Sequence, residues 1–318
     1  MMGVFRKLAV ATMVLMTTFG FKTVAFNFNS NQKSYINQEP KKNLVYLGGD
    51  AISIKMDAMG VIITKNNGVV NAGDILYKIN DISVNNRNEL NNVLNSIETS
   101  DTTITYLHNN ELLTNTITSD DLKTIEGINN LVGNATITYI NPSNLRYAAV
   151  AHSVIENVSI AKNNIGTINS NYINDIVKST DMSVGHFIAS RGNPIGSIDT
   201  INETGMYGKY YRITSKNLVE IGSAKKGNAY IVTTLDNNQK AYYGISITNV
   251  KENQASMQIE YTITDQTLIN KTNGIIKGMS GSPIIQDNKL VGAVSHAVNG
   301  SNNKGYGLLI EKMITNTN

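Results

Sequence analysis

Residues Gly274–Val298 read GIIKGMSGSPIIQDNKLVGAVSHAV, and the fold and chemistry of the chain turn on how this stretch is understood. Ser280 and Ser282 lie among glycines and beside Pro283, and an apolar run follows that alternates in the manner of a buried strand. Glycine, serine and proline are what any tight turn requires. A turn that presents a nucleophile has the same composition, because glycine permits the dihedrals that bring backbone N–H groups together beside a hydroxyl. Two chemistries therefore compete for one motif, and the rest of the chain has to separate them.

The composition narrows the choice. With 318 residues and 41% hydrophobic content the chain can bury a large core, and its length suggests one large domain with a smaller one. The 27 basic and 24 acidic residues are scattered, giving a net charge of +3 without a Lys/Arg block, which argues against a nucleic-acid surface. There is no cysteine, which excludes thiolate nucleophiles, disulfides and Cys-ligated zinc. Covalent catalysis would have to use oxygen or nitrogen; no cofactor and no metal is expected.

Arg6 and Lys7 precede an apolar run from Leu8 to Phe21, the charged-then-apolar order of a secretory signal, so residues 1–26 are expected to be a signal peptide or membrane anchor and the protein to be exported. Residues 27–43, rich in Asn, Gln and Lys, read as a linker. From 44 to 118 come short apolar segments (LVYL, AISIKM, GVIIT, ILYKI, TTITYL, LLTNTIT), with Leu90, Val93, Leu94 and Ile97 at helical spacing over Arg87–Ile97. This predicts a small β-rich domain with one helix. From 119 to 318, β-branched strands separated by Gly, Asn and Asp turns predict a sandwich or barrel. The fold class expected is mainly β.

Gly278-Met279-Ser280-Gly281-Ser282-Pro283 has the form Gly-x-Ser-Gly-x-Pro, and chymotrypsin-like peptidases place Gly-Asp-Ser-Gly-Gly-Pro at their nucleophile, which aligns Ser280 with it. The Gly278 and Ser280 backbone N–H groups would then form the oxyanion hole. A hydroxyl needs a base. The chain has four histidines, His108, His152, His186 and His296, and a base that precedes the serine by a long stretch of β-rich sequence leaves His152 or His186. Asp175, Asp181, Asp199, Asp236 and Asp265 all lie between His152 and Ser280, and spacing does not choose among them.

The C-terminal part closely resembles the SpoIVB peptidases, the stage IV sporulation protein B family. The resemblance is carried by GMSGSPI with GAVSHAV and GYG downstream, and more weakly by AAVAHSVIEN, IGSIDTINETGMYGKY and GNAYIVTTLD. Upstream, YLGGDAISIKM and AGDILYKINDISV resemble the PDZ domain of that family. The resemblance implies a PDZ-like domain over 44–118 followed by a chymotrypsin-like double β-barrel serine peptidase over 119–318. It assigns His152, Asp265 and Ser280 as the triad, with Ala151 standing where a glycine is usual.

It implies further a sporulation signalling endopeptidase, located between the forespore membranes and held there in one form by its N-terminus. Such an enzyme cleaves itself and a membrane-associated regulatory protein, so that pro-sigma-K processing begins. In a PDZ-like domain Gly48, Gly49, Ala51 and Ile52 would supply the loop and edge strand that capture a peptide. The alternative is a PDZ-type scaffold whose peptidase fold is inactive or acts only on itself. A quality-control protease of the HtrA kind is disfavoured, because those proteins carry PDZ domains after the peptidase. Gly274, six residues before Ser280, would lie at the floor of the primary specificity pocket and brings no carboxylate for a Lys or Arg side chain.

Overall fold

In the computed structural model the β-branched segments of the sequence become, among the described residues, nineteen strands. The residues described are 44–97, 101–150, 161–213, 217–235, 238–251, 258–298 and 301–318. The signal and linker calls over 1–43, His152 and Asp236 lie outside them. In chain order the strands are β1 (Leu44–Leu47), β2 (Ala51–Ile63), β3 (Ile75–Ile79), β4 (Ile82–Ser83), β5 (Asp101–His108), β6 (Glu111–Thr118), β7 (Gly127–Ile140), β8 (Arg146–Val150), β9 (Ala161–Val177) and β10 (His186–Ile198). They continue with β11 (Thr200–Asn202), β12 (Gly205–Lys209), β13 (Leu218–Ile221), β14 (Gly227–Thr234), β15 (Lys240–Lys251), β16 (Gln258–Ile263), β17 (Pro283–Gln286), β18 (Lys289–Val298) and β19 (Ser301–Leu309). Among the described residues four short helices punctuate them: α1 (Arg87–Ser96), α2 (Ser119–Lys123), α3 (Gln266–Thr272) and α4 (Ile310–Ile314).

The pairings close twice. In the first ring β2 pairs with β7 and β9, β9 with β10, and β7 with β8, which pairs with β12; a bridge between Gly196 of β10 and Tyr210, one residue past β12, completes a six-strand barrel. Alternation explains its interior, because Ile52, Ile54 and Met56 of β2 point to one face and meet Ala135, Ile137, Ala149, Ile168, Ile198 and Met206. In the second ring β14, β15, β16, β19, β18 and β17 follow one another, and β17 returns to β14. Its interior holds Ile231, Ile245, Ile247, Ile259, Tyr261, Ile284 and Val294. The architecture is mainly β and consistent with a chymotrypsin-like fold.

A further cluster joins the two rings. Val45, Leu47, Tyr139, Val150 and Tyr207 from the first side pack with Val232, Ile285, Leu290, Ile310 and Met313 from the second. Residues 61–125 form a satellite module with a core of their own, built on Val61, Leu76, Leu90, Val93, Ile104 and Ile117. Its helix α1 starts at Asn86, whose side chain accepts from Glu89 N, while Glu89 reaches back to the Asn85 amide. No helix of the described residues is long and apolar enough to cross a membrane.

The peptide-capturing edge expected at Gly48–Ile52 is not open. Gly49 N donates to Ile137 O at 2.7 Å and Gly48 N to Thr138 O at 3.1 Å, so both amides are spent on β7. Ile52 pairs with Ala135 on one side and Ser170 on the other, and its side chain is wholly buried. Ala51, also buried, pairs with Thr136. Gly48 and Gly49 are thus bonded to β7 of the first barrel and Ala51 and Ile52 lie on its β2, where a strand with two neighbours has no edge left for a guest.

Candidate active site

Ser280 sits in the turn that leads from α3 into β17. Two glycines shape it: Gly278 at φ 107° and Gly281 at φ 92° take backbone conformations that a side chain would strain. Space forbids a side chain as well. A β-carbon on Gly278 would press into the Phe187 ring, and one on Gly281 would strike the Thr136 carbonyl and come within 2.8 Å of Val150 N. Met279 between them is fully buried and packs in the second barrel's core, turning Ser280 the other way.

The hydrogen bonds of the turn leave two donors over. Met279 N donates to Ile276 O, Gly281 N to Val294 O and Ser282 N to Met279 O. Among the described residues neither Gly278 N nor Ser280 N has an acceptor. They belong to the turn of a half-buried serine whose Oγ donates to Ser295 O at 3.0 Å. A pair of unspent N–H groups beside a hydroxyl is what stabilises the oxyanion of a tetrahedral adduct. Ser282 is different, because it is wholly buried and its Oγ meets no hydrogen-bond partner among the described residues.

The candidate bases separate by position. The described part of β8 ends at Val150, against Gly281 of the serine turn, and His152 stands two residues further along the sequence, outside the described residues. His186 opens β10 with an exposed side chain, its backbone bridged to Lys277. His296 is exposed on β18 and its Nδ1 lies 2.6 Å from Ser295 Oγ. His108 lies in the satellite module, 2.6 Å from Asp74.

The candidate carboxylates separate as well. Asp199 is held by Arg146 through two hydrogen bonds of 2.8 and 3.0 Å; burial pushes its carboxyl up, and the Arg146 and Thr200 contacts together more than offset this and leave it below the ordinary value. Asp175 is exposed and accepts from Ile176 N, and Asp181 is exposed in the turn before β10. Asp265 is half-buried at the end of β16, where it caps α3: Oδ1 accepts from Leu268 N at 3.0 Å and Oδ2 from Gly244 N at 3.4 Å. Its charge reaches Tyr243, whose phenol is raised first by burial and then by Asp265. A carboxylate has about four lone-pair positions, so these two bonds leave room for an imidazole N–H.

The strands next to the serine turn can be followed across to β16. His296, beside Ser295, pairs with Tyr306, and Tyr306 with Glu260, so β18, β19 and β16 run level; Asp265 follows Ile263 by two residues. Gly274 lies in the turn after α3, buried at φ 119°, and its carbonyl accepts from Thr272 Oγ1. Three residues of the site carried no signal in the motif itself. Thr136 Oγ1 donates to Gly278 O, Thr138 Oγ1 to Gly281 O, and Phe187 N to Lys277 O. Threonines at alternate places in a buried strand, as in ATITYI, are the only sequence hint of them.

A model of the SpoIVB peptidase S55 family matches residues 128–314. That is more than half of the chain and takes in the serine turn, both barrels' closing strands and Asp265. The chain belongs to the SpoIVB peptidase family. It is a serine peptidase of the sporulation type that this family defines. No curated protein matches it.

Proposed function

We propose that this SpoIVB peptidase is a sporulation signalling endopeptidase in which Ser280 attacks the scissile carbonyl, His152 takes and returns the proton, and Asp265 orients and charge-balances the imidazole. The observation that carries this is the pair of unspent amides in the serine turn, Gly278 N two residues before Ser280 and the Ser280 N of the serine itself. In the attack the serine oxygen bonds to the carbonyl carbon, its proton passes to the imidazole, and the former carbonyl oxygen takes the charge between the two amides. The imidazolium then gives its proton to the leaving amine.

The finer reading is that the enzyme is exported, acts between the forespore membranes with its N-terminal segment as signal or anchor, and cleaves first itself near the N-terminus. It then cleaves a membrane-associated regulatory protein, which starts pro-sigma-K processing. The satellite module around α1 serves as a PDZ-like recruiter of substrate. Its own core and the strand β6, which among the described residues pairs with β5 and carries an exposed Leu112, support this role, with capture proposed at the module and not at Gly48–Ile52.

The test is self-processing of the purified full chain followed by mass spectrometry. The native protein is expected to shorten, Ser280→Ala and His152→Ala to stay intact, and His186→Ala and Ser282→Ala to shorten. Processing by Ser280→Ala would remove Ser280 from the chemistry. A native chain that binds regulator peptides but cuts nothing would favour the scaffold role.

A further inference from the structure

The serine turn belongs to the second barrel, yet its carbonyls are held from the first. Gly278 O accepts from Thr136 Oγ1 at 2.8 Å, Ser280 O from Thr136 N at 2.8 Å, and Gly281 O from Thr138 Oγ1 at 2.7 Å. Both threonines are wholly buried on β7. Valine has the same shape, favours a buried strand at least as well and brings no polar atom to desolvate. The hydroxyls are therefore matched to the turn and not to the barrel.

What they act on follows from peptide geometry. Each peptide unit is planar, with its C=O and N–H pointing in opposite directions, so fixing a carbonyl fixes the amide on the same plane. The Gly278 N–H shares a plane with Lys277 O, held by Phe187 N at 3.3 Å, and the Ser280 N–H shares one with Met279 O, held by Ser282 N at 2.9 Å. Thr136 clamps the planes next to these two, Gly278–Met279 through its hydroxyl and Ser280–Gly281 through its amide, and Thr138 clamps the plane that follows, Gly281–Ser282. Without them, glycines at 278 and 281 can rotate, since they carry no β-carbon to restrict φ and ψ. The geometry points to Thr136 and Thr138 as positioning residues that hold the oxyanion donors in place, so that the first barrel supplies alignment as well as the base. This rests on the assignment of Ser280 as nucleophile.

Fluorophosphonate labelling of the full chain tests it, because the probe bonds to an activated serine oxygen, expels fluoride and develops its oxyanion where the donors lie. Loss of one oxyanion donor costs about 10²–10³ in rate, so a misaligned pair is expected to cost about tenfold or more. Thr136→Val and Thr138→Val should lower the maximal labelling rate by that factor with the half-saturating probe concentration changed less than about twofold, and Thr136→Ser should restore it. A merely structural role would lower the labelled end-point and the melting temperature, and leave the rate of the molecules that do label unchanged.

Both valine variants, folded by circular dichroism and labelling at the native rate, would overturn the inference; if Thr136→Val does not fold, the same criterion falls on Thr138→Val alone. No labelling of the native chain, or labelling of Ser280→Ala, would instead defeat the nucleophile assignment.

Discussion

Gly278 and Gly281 flank Ser280 for different physical reasons, and substitutions should tell them apart. At Gly281 the added β-carbon meets backbone, the Thr136 carbonyl and Val150 N, and backbone in a barrel cannot step aside. At Gly278 it meets a side chain, the Phe187 ring, which can be exchanged. Gly281→Ala is expected to abolish labelling and lower stability by several kcal/mol. Gly278→Ala should lose most activity and recover part of it in combination with Phe187→Leu, the rest being the cost of positive φ, about 1–2 kcal/mol. Melting curves and labelling rates of the single and double variants check this; equal rescue at both glycines would refute it. Asp265 gives a second contrast, because its carboxylate caps α3 as well as being the proposed partner of the imidazole. Asparagine caps as well as aspartate, so Asp265→Asn is expected to melt near the native temperature and to lose about 10⁴ in turnover. Near-native turnover in a folded Asp265→Asn protein would remove it from the triad. The turn around Ser280 was legible in the sequence because its Gly-x-Ser-Gly-x-Pro pattern is contained in consecutive residues. Thr136 was not, since its hydroxyl meets Gly278 at a separation of 142 residues.

At the scale of elements, local signals were kept and non-local ones were lost. The helix expected over Arg87–Ile97 forms as Arg87–Ser96, because its apolar spacing and its Asn86 cap are contained within one segment. AISIKM and GVIIT, read as separate strands, are one strand, β2, whose first half belongs to the barrel and whose end pairs with β3 in the module. Nothing within 44–63 announces that division. It depends on partners such as Ala135, Ser170 and Leu76 that lie far along the chain or across the turn. α3 was missed for another reason: seven residues are too few for helical periodicity to show, and only the Asp265 cap marks its start. The module's separate core yields a prediction of its own. Leu90 is buried entirely among module residues, so Leu90→Ala should cost about 2–5 kcal/mol there. Hydrogen exchange is expected to rise across 61–125, with barrel protection and fluorophosphonate labelling of Ser280 unchanged; a loss of labelling would show that the module supports the site directly.

For the whole molecule, the proposed site is a product of docking. His152 follows the first barrel's β8, Asp265 and Ser280 come from the second, and the clamps on the serine turn cross between them. What holds the barrels together is the apolar cluster that includes Val45, Tyr139, Tyr207, Leu290, Ile310 and Met313. The chain end adds a polar pin, with Tyr139 Oη 2.8 Å from Thr317 Oγ1 and the Asn141 and Asn144 amides donating to Thr317 O. Each barrel has its own interior, so weakening the cluster should separate them before either interior melts. Met313 is fully buried in the cluster and sits on α4, outside both rings. Met313→Ala removes apolar contact and leaves a cavity, at a cost of about 2–5 kcal/mol. In a urea titration of that variant, labelling of Ser280 is expected to disappear at a lower concentration than the far-ultraviolet signal of the strands, because misdocked barrels keep their secondary structure and lose the aligned turn. In the native protein the two losses should lie closer together. Labelling that survives until the strands unfold, in both proteins alike, would mean that the second barrel builds a competent serine turn without the first.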